Sequence, residues 1–200
     1  MIIVGLTGNL ASGKSEAAKI FKRLGALVLD ADGASRRLTR KGTAIHKAIV
    51  KLFGKEYLGK DGELDRRKLA ERAFSHPQDL KKLNTLIHPG VILEAYKAIE
   101  KNKGRKGLVV LDVPLLYETG MEKLADFTVV VTSDEKKMLA RAQKRGVPAK
   151  LAKKILRSQW PLAKKARLAH YFWRDGFAPS AYGCLARRQR YLRKRSGRAA

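Results

Sequence analysis

The sequence predicts an α/β fold in three layers, with helices on both faces of a parallel sheet. Three observations carry the prediction. The chain opens with an apolar run, a glycine-rich loop and an amphipathic helical repeat, in that order. Further short apolar runs recur downstream, and two of them end in aspartate. About seventy residues between the second and third runs show only helical spacing, far more than one crossover helix needs.

The opening run is Ile2-Ile3-Val4-Gly5-Leu6, suited to a strand buried on both faces. It leads into Gly8-Asn9-Leu10-Ala11-Ser12-Gly13-Lys14-Ser15, which reads G-x-x-x-x-G-K-S, the phosphate-cradling P-loop pattern. Ala17, Ala18, Phe21 and Leu24 then line one face of a helix. Such a loop aims successive backbone N–H groups at a phosphate chain, and the helix N-terminus adds positive potential. The stretch Gly8–Glu16 is therefore expected to hold ATP. Within it, Lys14 places a point charge on the β- and γ-phosphates and Ser15 offers a hydroxyl to Mg²⁺.

Gly25 stops the first helix, and Ala26–Asp30 forms the second strand. Ligands in parallel sheets sit beyond the carboxyl ends of strands, so Asp32 either faces the γ-phosphate or serves as the N-terminal carboxylate of a helix starting near Gly33. Over 33–103 the helical patterns are Ile45, Ala48, Ile49, Leu52, Phe53; then Leu69, Ala70, Ala73, Phe74; then Leu80, Leu83, Leu86, Ile87. Gly42, Gly54, Lys60-Asp61-Gly62, His76-Pro77 and His88-Pro89 are the expected separators. This region reads as an inserted helical substrate lobe. Leu108–Asp112 is the third strand, whose Asp112 either holds Mg²⁺ or pairs locally, and Phe127–Val131 is the fourth. Ser133 or Asp134 caps the next helix, Gly146-Val147-Pro148 breaks it, and further helices span Ala149–Arg157 and Leu162–Ala169. A short aromatic strand, His170–Trp173, follows. Residues 136–169 thus form a helical lid on a core of 1–32, 104–135 and 170–200. Arg141 and Arg145 either close over phosphates or lie on the surface, while Lys150, Lys153 and Lys154 are read as solvated.

The net charge of +26 is uneven: residues 136–200 carry 20 basic side chains and one acidic, Asp175. Such a field draws in anionic ligands. The excess, concentrated in Arg187, Arg188, Arg190, Arg193, Lys194, Arg195 and Arg198, also permits weak electrostatic association with nucleic acid. No apolar run approaches the ~20 residues that span a bilayer. One cysteine, Cys184, excludes an internal disulfide and suits a reducing cytoplasm.

Taken together, the residues resemble the dephospho-CoA kinase family over roughly 1–176. The likeness rests on Gly5-Leu6-Thr7-Gly8 with the P-loop, Asp30-Ala31-Asp32, Asp61-Gly62-Glu63-Leu64-Asp65-Arg66, Leu83-Asn84 with His88-Pro89, and Val113-Pro114-Leu115-Leu116-Tyr117-Glu118. It continues through Arg141, Arg145, Gln159 and Pro161-Leu162. The resemblance implies a P-loop kinase core and transfer of the ATP γ-phosphate to the ribose 3′-hydroxyl of dephospho-CoA. It implies a base at Asp32, an acceptor site bordered by Arg66 and His88, and lid arginines at Arg141 and Arg145. The chain departs from the family loop in having Asn9 and Ala11 where glycines are usual, and His170 where an acidic residue is common. A residue with a Cβ is strained at positive φ by about 1–2 kcal/mol, so Ala11 matters if the loop demands that conformation.

Overall fold

The computed structural model describes residues 1–174. Cys184, the basic stretch Arg187–Arg198 and the last part of the expected 170–200 core segment lie outside the described residues. Five strands form one sheet: β1 (Ile2–Thr7), β2 (Leu27–Asp30), β3 (Leu108–Asp112), β4 (Phe127–Thr132) and β5 (Tyr171–Arg174), in the order β2-β3-β1-β4-β5. All four pairings are parallel, as the apolar runs require.

Side chains alternate across this sheet and feed two cores. On one face Val4, Leu6, Val110, Phe127, Val129 and Val131 pack with Ala17, Ala18 and Phe21 of α1 (Lys14–Arg23) and with Trp173. The other face buries Leu111 with Val113, Leu116, Met121 and Ile99, the last from α5 (Pro77–Lys101). Three layers result.

The expected helical insertion comprises α2 (Ala31–Leu38), α3 (Ala44–Phe53), α4 (Arg66–Ala73) and α5. It has its own core, in which Ile49, Leu64 and Leu69 are buried against Leu83, Leu86 and Ile87 of α5. One expected separator fails. His76-Pro77 opens α5, with proline in the first turn where its missing N–H costs nothing, but His88-Pro89 does not end it. The helix continues for twelve residues beyond Pro89 to Lys101, because its two halves pack on different cores and only the bond to the Thr85 carbonyl is forfeited. The region 136–169 contains α6 (Glu135–Lys144), capped by Asp134, then α7 (Ala149–Ser158) and α8 (Leu162–Leu168).

Candidate active site

The loop after β1 enters the crevice at the carboxyl ends of the strands, where neighbouring crossovers diverge around the central strand. It is compact: Ser12 N–H donates to the Asn9 carbonyl at 3.1 Å, and Gly13 takes φ 100° as the N-cap of α1. A Cβ on Gly8 would sit 2.7 Å from the Val131 carbonyl, so only glycine fits there. Ala11 adopts φ 56°, the left-handed conformation that strains an alanine. Its methyl is buried against Ala142 of α6 and Ala152 of α7, a contact that offsets part of the strain.

A cavity of about 450 Å³ brings together most of the residues singled out from the sequence. Gly8 through Ser15 line it, as do Asp32, His88 and Arg145. Asp30 closes β2 and caps α2, accepting from Asp32 N–H at 3.0 Å, which fixes the turn that presents Asp32. Asp32 opens onto the cavity, yet the surrounding walls push its carboxyl above the ordinary aspartate range, with the nearby Lys14 ammonium opposing the shift. Lys14 is ion-paired with Asp112. Desolvation raises the Asp112 carboxyl too, again against the pull of Lys14. A second groove is lined by Lys14 itself with Ser15, Asp30, Asp32 and Asp112.

Other residues fall elsewhere. Glu16 is exposed and pairs with Lys19 at 2.8 Å. Arg66 does not line the cavity; its guanidinium donates to Thr39 Oγ1 at 3.1 Å and to the Arg36 carbonyl at 3.3 Å, tying α4 to the end of α2. Arg141 stands off the cavity with its guanidinium 3.5 Å from Ser133 Oγ. Lys154, read as solvated, is half-buried and donates to Ser75 Oγ at 2.7 Å, joining α7 to the helical insertion. His170 accepts from Thr128 N–H at 3.1 Å near the start of β4, the end of the sheet away from the loop.

Sequence reasoning passed over Lys165. It is fully buried, and its ammonium donates to Glu118 Oε1 at 2.8 Å and the Pro114 carbonyl at 2.9 Å. Burial draws its pKa down while Glu118 holds it up. The same Glu118 oxygen accepts from Trp160 N–H at 2.9 Å, the Trp160 carbonyl accepts from Asn9 Nδ2 at 3.1 Å, and Gln159 Oε1 accepts from Leu10 N–H at 3.0 Å. A polar chain therefore runs from α8 through Glu118 and the α7–α8 junction to the tip of the loop. The available signal was Lys165 lying three residues after Leu162, on the apolar side of α8.

The arrangement can bind a chain of phosphates at the loop, neutralise it with Lys14 and Arg145, and present a carboxylate to an acceptor entering along α5. Comparison with known proteins agrees. A family model described as dephospho-CoA kinase matches residues 2–176. A dephospho-CoA kinase of Geobacillus kaustophilus is 39% identical over 172 residues, covering 84% of this chain and 85% of its own. That of Aquifex aeolicus is 38% identical over 168 residues, covering 84% and 85%. The crystal structure of TT1252 from Thermus thermophilus superposes with a TM-score of 0.71 at 31% identity, covering 88% of this chain and 90% of that one.

Proposed function

The chain belongs to the dephospho-CoA kinase family, ATP-dependent phosphotransferases, and from that premise we propose how its residues carry out the transfer. The acceptor is dephospho-CoA and the atom phosphorylated is the 3′-oxygen of its ribose, giving CoA and ADP. The observation that carries the reading is the single cavity shared by the P-loop and Asp32.

Phosphoryl transfer leaves little covalent work to the protein, so alignment and charge neutralisation dominate. The amides of Gly8–Ser15 hold the β- and γ-phosphates, and Lys14 exchanges Asp112 for the phosphate oxygens as ATP enters. Asp32 accepts the hydrogen bond of the acceptor hydroxyl and takes its proton as the bond from that oxygen to the γ-phosphorus forms and the bond to the β-bridging oxygen breaks. Arg145, the lid arginine that lines the cavity, and Arg141, one turn before it at the end of α6, stabilise charge on the transferring group. Helices α6–α8 act as the lid and residues 33–103 as the acceptor lobe.

Ser15 and Asp112 would hold Mg²⁺. The fit rests on two hard oxygen donors, a hydroxyl and a carboxylate, flanking one open groove beside Lys14. Magnesium sites in phosphotransferases are open in this way, because substrate phosphates and water complete them. When bound, the ion neutralises charge on the β- and γ-phosphates. We place the reaction in the cytoplasm, the compartment that the lone cysteine of the sequence suits. Among the described residues no helix is long and apolar enough to cross a membrane.

The test is ADP release by the purified protein with and without dephospho-CoA. The acceptor is expected to raise ATP consumption strongly, and an equal rate in both arms would overturn the reading.

A further inference from the structure

The helix that carries the lid arginines ends against the phosphate loop. Gly146 N–H donates to the Gln143 carbonyl at 2.9 Å and Val147 N–H to the Ala142 carbonyl at 3.1 Å, with Gly146 at φ 80°. This pair of bonds is a Schellman turn, which fixes the backbone of Arg145, the C-cap of α6. The two ends of the turn, Ala142 and Val147, pack in one cluster with Ala11 and Leu10 of the loop and Ala152 of α7. Arg145 is exposed and reaches the cavity from that seat. A long, exposed side chain is rich in rotamers, so the place of its backbone decides where the guanidinium can act.

Two side chains of the loop make the seat. Glycine would relieve the left-handed strain at Ala11 but lose the methyl that touches α6 and α7. Asn9 directs its buried amide at the lid: Nδ2 donates to the Trp160 carbonyl at 3.1 Å, beside the Gln159 contact to Leu10 N–H. A phosphate cradle needs only backbone amides at these two positions, so phosphate binding by itself accounts for neither side chain. What both touch is the lid.

We propose that Ala11 and Asn9 are positioning residues: the loop that binds the phosphates also seats the end of α6, and so sets Arg145 over them. The proposal rests on the phosphotransferase reading above. Its test is a pair of double-mutant cycles, Ala11→Gly and Asn9→Ala each combined with Arg145→Met, read as kcat/KM for ATP. One buried methyl or one neutral hydrogen bond corresponds to about 3- to 10-fold, so each loop variant should lose that much. The KM for dephospho-CoA should stay unchanged. In the Arg145→Met background the same substitutions should cost less than about twofold, because the group they position is gone. Simple additivity, an unchanged kcat/KM, or a loss that falls on dephospho-CoA would each overturn the proposal. Glycine adopts φ 56° without strain, so Ala11→Gly serves if Asn9→Ala does not fold. Backbone hydrogen exchange without substrates reads the seat independently of turnover. Residues 142–147 should exchange about 3- to 10-fold faster in both loop variants, and unchanged exchange there would overturn the seat. A protein that consumes no ATP yet shows the faster exchange would refute the reaction and leave the docking standing.

Discussion

Replacing Lys165 by methionine isolates the polar chain that joins α8 to the P-loop. The substitution keeps the length of the buried stem and removes only the ammonium. Glu118 Oε1 then retains the Trp160 amide alone, and Oε2 is already buried without a partner. Removing one member of a buried ion pair costs roughly 3–5 kcal/mol, because an uncompensated charge remains. For a domain of this length each kcal/mol moves Tm by about 2–4 °C, so Lys165→Met should melt on the order of 10 °C lower. Adding Glu118→Gln removes the stranded charge, and the double variant should recover to within about 1–2 kcal/mol of the wild type. Chemical denaturation of the four proteins closes the cycle. The functional consequence follows from the same geometry: Trp160 and Gln159 hold Asn9 and Leu10, so the KM for ATP should rise more than that for dephospho-CoA. A single variant destabilised by less than about 1 kcal/mol, or a double variant no better than the worse single, would refute the reasoning.

Asp32→Asn should bind ATP normally and lose turnover by orders of magnitude, read in single-turnover assays. The same variant tests the titration of Asp32. Its folded pKa is raised, so the ionised carboxylate costs stability at neutral pH, and the asparagine protein should melt above the wild type at pH 7. That advantage should vanish below the ordinary aspartate range, where the carboxyl is protonated in both folded and unfolded states. Ala11→Gly relieves roughly 1 kcal/mol of left-handed strain but gives up a buried methyl worth about 0.8 kcal/mol. Thermal melts should therefore change little, while the affinity for ATP falls because the loop no longer docks on α6 and α7. Gly8→Ala forces a methyl onto the Val131 carbonyl and should abolish ATP binding measured by calorimetry, with the sheet intact by circular dichroism.

Much of this architecture was legible because the physics is local. A buried parallel strand must be a continuous apolar run, and a phosphate loop must have its glycine, lysine and serine at fixed spacing, so β1, β3, β4 and the loop could be read directly. Asp32 was visible because the end of a strand is visible. Lys165 was not: it sits among Lys164, Arg167 and many other cations, and only the third dimension shows that Lys164 lies over the Trp160 ring at 3.4 Å while its neighbour turns inward. Arg66 shows the opposite limit, since a motif fixes which residue is present and not what its side chain touches, here Thr39 Oγ1 and the Arg36 carbonyl. The continuation of α5 past Pro89 was hidden because a proline signals a break only where packing fails to hold both sides.

That uninterrupted rod has a mechanical meaning. At about 1.5 Å per residue, its 25 residues span close to 40 Å, long enough to join the insertion to the sheet. Its first half is cemented into the hydrophobic centre of the insertion through Leu83, Leu86 and Ile87, and its second half into the underside of the sheet through Ile92, Ala95 and Ile99. Any tilt of the insertion is thus coupled to the sheet through this rod, whose backbone ladder lacks the N–H of Pro89. His88 stands immediately beside that gap, so the gap and the cavity wall share one turn of the rod.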